Sequence, residues 1–249
     1  MNRTLLLAAL LALHVAVPAG AGNIVFAVST GSAMPMTGFR DDLLVEGLLK
    51  DFGDALAHEL ALAPHYVSLP RKRVEQALRE GQADLLCDLR PEWLDSKDWR
   101  WTETVFSNNM IVVSRTSTAP LARLSDLAGE RTGTLLGYRY PELERRLGRG
   151  FERDDGASDD INTNKLLKGR FRYMVSNSLY YDYQRKVHPA GEDLNAEVFT
   201  IRQFDTYCAL APAGRIDLNK VNHAIEALRK RGAFQHFYQR YRLQRSPLP

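Results

Sequence analysis

The feature that most constrains the fold is an alternation of strand-like and helix-like segments along the chain. Residues 23–28, 66–69 and 83–87 are short apolar runs with the length and composition of buried strands. Between them, residues 47–60 and 71–80 carry apolar side chains at helical spacing, with charged residues on the opposite face. Strands joined by helical crossovers lie parallel in one sheet. The alternation therefore predicts a βαβαβ unit.

The same alternation begins again in the second half of the chain. Residues 132–136 and 171–175 have the composition of strands, and helices are predicted near 141–147, at 159–168 and at about 178–186. Further strand segments are predicted at 110–113, 198–201 and 207–210, and two amphipathic helices follow them. The repetition predicts a second α/β lobe. Because no Gly/Ser-rich linker separates the lobes, we expect short hinges and a cleft between them.

The first 21 residues have the pattern of a targeting segment. Arg3 precedes an apolar run at residues 5–17, and Ala19 and Ala21 form an A-x-A cleavage pattern. The apolar run of 13 residues is shorter than the roughly 20 residues that span a bilayer. We therefore predict a cleavable signal peptide at 1–21. No cysteine stands near the cleavage point, so the exported protein is not expected to be a lipoprotein.

Composition and motifs argue against several classes of function. The chain has 33 Lys+Arg against 30 Asp+Glu, and the charges are interspersed, so no basic surface for nucleic acid is predicted. Cys87 and Cys208 lack the spacing of paired zinc ligands, and the six histidines have no metal-ligand spacing. No nucleophile elbow, Walker loop, dinucleotide fingerprint or H-E-x-x-H motif occurs. We expect no cofactor, no metal and no catalytic residue.

A set of short blocks, ordered along the chain, resembles one known family. The blocks lie at residues 46–52 (EGLLKDF), 55–62, 81–84 (GQAD), 124–133 (LSDLAGERTG), 166–170, 225–228, 232–234 and 238–241. Together they resemble the bacterial extracellular solute-binding proteins, family 3. The resemblance implies a type II periplasmic-binding-protein fold, in which two α/β lobes joined by a hinge enclose a ligand cleft. It places lobe one at 22–109 plus 204–249 and lobe two at 110–203, and it implies a monomer.

Three positions depart from the amino-acid binders of that family. Those proteins stack an aromatic side chain on the ligand, hold its carboxylate with an arginine, and hold its ammonium group with an aspartate. Here Met34 stands at the position of the aromatic, where a thioether still forms an apolar wall. Ser96 falls near the position of the arginine, and Asn177 falls at that of the aspartate. The loss of this negative charge predicts weak recognition of an ammonium group, which argues against a free α-amino acid as the ligand.

Two other segments supply candidate ligand contacts. Asp88, Arg90 and Trp93 follow the C-terminal end of a predicted strand, where open α/β sheets bind ligands. Alternatively, Asp88 and Arg90 form a local ion pair and Trp93 packs under its loop. Tyr138 and Arg139 precede a predicted helix whose free N–H groups can receive an anionic group. Alternatively, they are exposed loop residues.

Two further questions stay open at the level of sequence. Tyr173, Tyr180, Tyr181 and Tyr183 either line the cleft or pack in the core, and their helical spacing favours packing. Cys87 is either a buried thiol or the partner of Cys208. The family topology, as the resemblance implies it, puts these two cysteines on neighbouring strands.

The resemblance leads to one main hypothesis and two alternatives. The main hypothesis is a periplasmic solute-binding protein that captures a small polar solute, amino-acid-like or a small carboxylate, by hinge closure and delivers it to the permease of an ABC-type transporter. One alternative is a stand-alone periplasmic sensor whose partner is a receptor ectodomain. The other is an exported enzyme similar to cyclohexadienyl or arogenate dehydratase, with Glu92 or Asp88 as its acid.

Overall fold

The computed structural model describes residues 22–95, 97–212 and 214–243. In chain order, the strands are β1 (Asn23–Ser29), β2 (Gly38–Arg40), β3 (Leu43–Glu46), β4 (Ala63–Leu69), β5 (Leu85–Leu89), β6 (Arg100–Trp101), β7 (Phe106–Ser114), β8 (Thr132–Leu135), β9 (Arg153–Gly156), β10 (Tyr173–Asn177) and β11 (Phe199–Leu210). The helices are α1 (Leu48–Glu59), α2 (Arg71–Arg79), α3 (Pro141–Leu147), α4 (Asp159–Leu167), α5 (Ser178–Val187), α6 (Leu218–Lys230) and α7 (Ala233–Arg240). The predicted signal peptide at 1–21 lies outside the described residues.

The first part of the main sheet consists of β4, β1 and β5, which lie side by side and parallel. α1 and α2 are their crossovers, so the predicted βαβαβ unit is confirmed. α1 packs on the sheet because Leu48, Phe52 and Leu56 recur at turn spacing, and all three are fully buried. The Phe52 ring lies 5.8 Å from that of Phe106 and 6.0 Å from that of Phe234, measured between centroids. This aromatic cluster anchors the first part of the sheet.

The second part of the sheet consists of β7, β10, β8 and β9, in that order. β8 runs parallel to both β9 and β10, whereas β7 runs antiparallel to β10. The predicted strands and the helix at 159–168 are found here. β9 was not predicted because its sequence, Arg-Asp-Asp-Gly, is polar; it pairs through its backbone at the end of the sheet.

The two parts of the sheet are connected through the long strand β11. Its beginning, from Phe199 to Thr206, pairs with β7, and its end, from Tyr207 to Leu210, pairs with β5. The runs at 198–201 and 207–210 were predicted as separate strands, which is wrong. Polar residues between them break the hydrophobic pattern, but the backbone pairing continues past a register shift near residue 201.

The tyrosines whose position was open all belong to the packing of the protein. Tyr173 is buried in the cluster around Leu143, whereas Tyr180 and Tyr181 are buried in a second cluster. Tyr183 is half-buried against the first part of the sheet. The Tyr180 hydroxyl donates to Asp160 Oδ1 over 2.9 Å, which satisfies a polar group at the edge of this core.

A disulfide bond joins Cys87 of β5 to Cys208 of β11, which settles the open question of their pairing. The bond closes a loop with a sequence separation of 121 residues, so it removes many conformations from the unfolded chain. Within the described ranges, every helix is too short or too polar to cross a lipid bilayer.

Candidate functional site

A cavity of about 110 Å³ lies between the two parts of the sheet, at the C-terminal ends of β1, β5, β8 and β10. The first wall of the cavity contributes four polar side chains. They are Ser29 at the end of β1, Ser32 in the loop after it, Arg71 of α2 and Asp88 of β5. The second wall, from β7, the loop after β8, the start of α4 and the end of β10, contributes those of Asn108, Tyr138, Arg139, Tyr140, Asp159, Ser176 and Asn177. Apolar side chains such as Val74, Leu135 and Phe204 fill the remaining lining. An apolar chamber with a few convergent polar groups is the usual form of a small-molecule site.

Five of the seven residues predicted from sequence line this cavity. They are Asp88, Trp93, Tyr138, Arg139 and Asn177. Trp93 lies edge-on to Phe204, with ring centroids 5.4 Å apart, and so contributes an aromatic surface as well as packing. Arg139 is exposed at the rim, where its Nη1 lies 2.8 Å from Asp95 Oδ1.

The other two predicted residues are placed elsewhere. Met34 is half-buried against the core around Phe52. Arg90 donates from Nε to Glu92 Oε1 over 2.6 Å and from Nη1 to the Asp205 carbonyl over 2.8 Å. Its local ion pair is therefore formed, with Glu92 in place of Asp88. Ser96 lies outside the described residues.

Arg71 is a cavity residue that the sequence did not single out. It is the first residue of α2, only 9% exposed, and its guanidinium lies 5.5 Å from the centre of the Tyr138 ring. Nη2 donates to the Trp93 carbonyl over 3.3 Å, and among the described residues no carboxylate forms an ion pair with it. A guanidinium has five N–H donors, so most of its capacity remains for a ligand. In the sequence it is hidden within the basic run Arg71-Lys72-Arg73, which resembles a solvated helix end.

Two acidic side chains face the cavity, one from each wall. Burial raises the pKa of Asp88 to about 6, and a hydrogen bond from the Thr206 hydroxyl partly offsets this effect. Burial raises the pKa of Asp159 to about 8, and the charges of Asp160 and Asp88 add to the effect. Asp88 also has a φ of 60°, in the left-handed region, which aspartate tolerates better than most side chains. Asp159, like Arg71, was not predicted.

Tyr138 stands between these charged groups. Burial, with a smaller contribution from the charge of Asp159, raises the pKa of its phenol to about 12, although Arg71 and a hydrogen bond with Ser29 act in the opposite direction. The phenol is therefore neutral at physiological pH and available as a hydrogen-bonding group. Its contact with Ser29 and Arg71 joins the second wall of the cavity to the first.

The amide of Asn177 is fixed by the protein itself. Its Oδ1 accepts from Asn108 Nδ2 over 2.9 Å and from the backbone N–H of Tyr180 over 3.0 Å, and so caps α5. The side-chain nitrogen is the group left for a ligand, and it can only donate. Position 177 therefore suits an oxygen of the ligand and not an ammonium group.

The acid proposed for enzyme chemistry at Glu92 is held in its ionised form. Burial raises the Glu92 pKa, but hydrogen bonds from Arg90 and Arg202 outweigh it and leave the pKa below its usual value. A carboxylate in this state is a poor proton donor at neutral pH. Within the described ranges, no group of three or more His, Cys, Asp or Glu side chains has the arrangement of a metal site.

Comparison with solved structures finds the same fold in several proteins of low sequence identity. An ABC uptake transporter substrate-binding protein from Streptococcus pneumoniae with bound histidine matches with a TM-score of 0.75 at 17% identity, over 88% of this chain and 92% of that one. An ancestral arginine-binding protein bound to arginine matches with a TM-score of 0.73 at 18% identity, over 88% and 98%. An ancestral amino-acid-binding protein, a precursor of cyclohexadienyl dehydratase, matches with a TM-score of 0.74 at 17% identity, over 88% and 95%.

These likenesses confirm the predicted α/β class and the type II periplasmic-binding-protein fold. No protein-family model matches the chain, and no curated protein sequence matches it significantly.

Proposed function

We propose that this protein is a periplasmic solute-binding protein that captures a small polar solute with an anionic group, amino-acid-like or a small carboxylate, in the cavity between its two walls. The observation that carries the proposal is Arg71, a buried guanidinium that faces the cavity without an acidic partner among the described residues. A buried charge is costly unless it is paired, so the site is complete only when an anion enters.

The anion that fits Arg71 best is a carboxylate. A planar guanidinium binds a carboxylate through two parallel N–H···O bonds, which are shorter and stronger than neutral hydrogen bonds. The amide nitrogen of Asn177 is a second donor in the same cavity. The apolar residues around these donors exclude water and so strengthen both interactions.

Capture requires the walls to move apart and close. The cavity volume of about 110 Å³ is well below the roughly 300–1,000 Å³ of most ligand pockets, so a solute of more than a few atoms does not fit unless the walls move. We propose that the hinge lies in β7 and β11, because these strands contain the boundaries between lobe one, at 22–109 plus 204–249, and lobe two, at 110–203. Closure about such a hinge is the usual motion of binding proteins with this architecture.

The same proposal covers location and partners. The sequence pattern at 1–21 favours export to the periplasm, where a disulfide such as Cys87–Cys208 persists. We propose the permease of an ABC-type transporter as the partner, with a monomer as the working form. The fold relatives include substrate-binding proteins of ABC transporters, which supports a transporter as the partner.

Calorimetric titration of protein that has been unfolded and refolded to remove carried-over ligand tests the proposal. The probes are histidine, glutamine, arginine, alanine and the small carboxylates propionate and succinate. We expect at least one to bind, and Arg71→Ala and Arg71→Lys to weaken that binding at least tenfold. Arg73→Ala, which removes an exposed arginine from the same helix, is the matched control. Binding that survives both Arg71 variants would refute the role of Arg71.

A second candidate function rests on Asp88. A buried carboxyl with a pKa of about 6, at the wall of an enclosed cavity, is suited to general acid catalysis near neutral pH. An exported dehydratase acting on prephenate or arogenate would use it as the proton donor. Turnover of prephenate that is lost in Asp88→Asn would establish this function, and absence of turnover by folded protein would remove it.

A further inference from the structure

We propose that Asp159, at the start of α4, binds a cationic group of the solute. The ligand then carries a positive group in addition to the carboxylate held by Arg71. This inference rests on the proposed solute-binding function and deepens it, because it names the second charged group of the solute. It also moves cation recognition away from position 177, where the resemblance to amino-acid binders would place it.

The first argument is the isolation of the Asp159 carboxylate. The residue is 6% exposed and lines the cavity, yet among the described residues none donates a hydrogen bond to its side chain or forms an ion pair with it. Its neighbour Asp160 differs, because its Oδ1 accepts hydrogen bonds from the Tyr180 hydroxyl and from Gln184 Nε2, over 2.9 and 3.1 Å. Asp160 thus has a structural role, whereas Asp159 has acceptor capacity that the fold does not use.

A second, independent observation comes from β10. Ser176 is 7% exposed and lines the same cavity, and its buried Oγ has no hydrogen-bond partner among the described residues. A hydroxyl oxygen accepts as well as donates. An ammonium group has three N–H donors and needs several acceptors, which Asp159 and Ser176 together supply. Two unsatisfied polar groups in one cavity indicate a missing ligand more strongly than either does alone.

The charges around Asp159 favour a cation. The groups that act on it or respond to it are Asp160 on α4, Asp88 on β5, Tyr138 and Tyr140 after β8, and Tyr180 on α5. All are acids or phenols, and no cation is among the groups that shift its pKa. Arg71 acts on Tyr138, and Arg139 is paired with Asp95 at the rim. A cationic group beside Asp159 therefore has acids and phenols as its titratable neighbours, and Arg71 and Arg139 are the cations in the lining of the same cavity.

The protonation of Asp159 makes the binding of a cationic solute depend on pH. Because burial raises its pKa to about 8, the empty site holds a mostly neutral carboxyl at pH 7. A solute cation favours the ionised form and lowers that pKa, so binding releases a proton. The affinity for a cationic solute should therefore rise between pH 6 and pH 8 and level off above that range.

The experiment compares solutes that differ in one amine. The pairs are alanine with propionate, glutamine with glutaramate, and histidine with imidazolepropionate, titrated calorimetrically at pH 6, 7 and 8 in two buffers of different ionisation enthalpy. For at least one pair we expect the amine-bearing member to bind the wild type at least tenfold more tightly, with proton release at pH 7. Asp159→Asn should abolish both the preference and the proton release. Asp160→Asn should retain the preference but release less of a proton, because the charge of Asp160 helps to raise the Asp159 pKa. Asp88→Asn removes the second acid of the cavity, whose pKa is about 6, and so shows which part of the pH dependence comes from it.

The outcomes separate the two proposals. If Asp159→Asn keeps the preference for the amine, or if wild-type affinity for the amine-bearing members falls as pH rises, the cation site is refuted. In another outcome, the members without an amine bind as tightly as the amine-bearing members, and Arg71→Ala weakens that binding. Solute binding then stands, and the Asp159 inference fails. If no member of any pair binds folded protein, the inference fails together with the proposed function.

Discussion

The two walls of the cavity are built by different means. The first wall carries Asp88 on β5, which the disulfide between Cys87 and Cys208 joins to β11. It also carries Arg71 on α2, whose Val74 and Leu78 pack with β5 in a buried apolar cluster. The second wall carries Tyr138, Asp159 and Asn177 on loop and helix ends that hydrogen bonds hold in place. Examples are the Tyr140 hydroxyl, which accepts from Leu135 N over 3.0 Å, and Asn162 Nδ2, which donates to the Thr134 carbonyl over 2.6 Å.

The first wall is therefore held more rigidly than the second. A covalent bond and a packed apolar core hold backbone elements in place and do not depend on pH. Hydrogen-bonded loop and helix ends orient their groups equally well, but they respond to protonation and to a bound ligand. The comparison predicts that loss of the disulfide lowers the stability at every pH, whereas Asp159 of the second wall makes the stability depend on pH up to about 8.

Removal of the disulfide should have the largest effect on stability. For Cys87→Ala with Cys208→Ala, we expect the free energy of unfolding to fall by about 2–4 kcal/mol, because the unfolded chain regains the freedom that the bond removes. Urea unfolding followed by circular dichroism measures this change. Reductant should lower the free energy of unfolding of the wild type by a similar amount and leave that of the double variant unchanged. An unchanged double variant would show that the first wall does not depend on the bond.

The second wall should make the stability of the protein depend on pH. The pKa of Asp159 is about 8 in the folded protein and near 4 when unfolded, so the folded state binds more protons between these values. Stability should therefore fall as pH rises from about 4 to about 8, by at most about 1.4 kcal/mol per pH unit from this group. In Asp159→Asn the same thermal scans should give a flatter curve with a higher midpoint at pH 8. A lower midpoint at pH 8 would indicate a structural role.

Asn177 tests whether one side chain of the second wall both orients an element and serves the ligand. Asn177→Ala removes the cap of α5 and the partner of Asn108, and should lower the free energy of unfolding by about 1–2 kcal/mol. Asn177→Asp, the matched control, keeps the capping oxygen and should retain more of the stability. Chemical denaturation of the two variants provides the measurement. Equal losses in both would argue against the capping role.

The smallest effect is expected at the rim, where the walls meet. Arg139 and Asp95 are both exposed, so the free energy of their ion pair is about 0.2–1 kcal/mol and is weakened by salt. Arg139→Ala and Asp95→Ala should each leave the thermal midpoint nearly unchanged. Stopped-flow measurement with any solute that binds should show faster release in both variants at low salt. Release rates equal to those of the wild type would show that the pair does not hold the walls together.

The candidate site was only partly visible in the sequence. Asp88 and Trp93 were predicted because they follow the C-terminal end of a strand, where cavities in α/β sheets form. Tyr138 and Arg139 were predicted because they precede a helix, and Asn177 because it falls at the ligand-binding aspartate of the family it resembles. Arg71 and Asp159 were missed although they also follow strands. One lies in a basic run and the other in an acidic one, and such runs are most often solvated.

The sequence by itself determined the order of strands and helices, the parallel βαβαβ unit and the presence of a second α/β segment. These properties depend on local periodicity and on the length of crossovers, both of which a single chain displays. The tertiary structure alone decided that β11 is one strand, that Cys87 meets Cys208, and that Arg71 and Asp159 face the same cavity. These facts depend on contacts between residues far apart in the chain, and burial, which turns an ordinary arginine or aspartate into a binding group, exists only after the walls have come together.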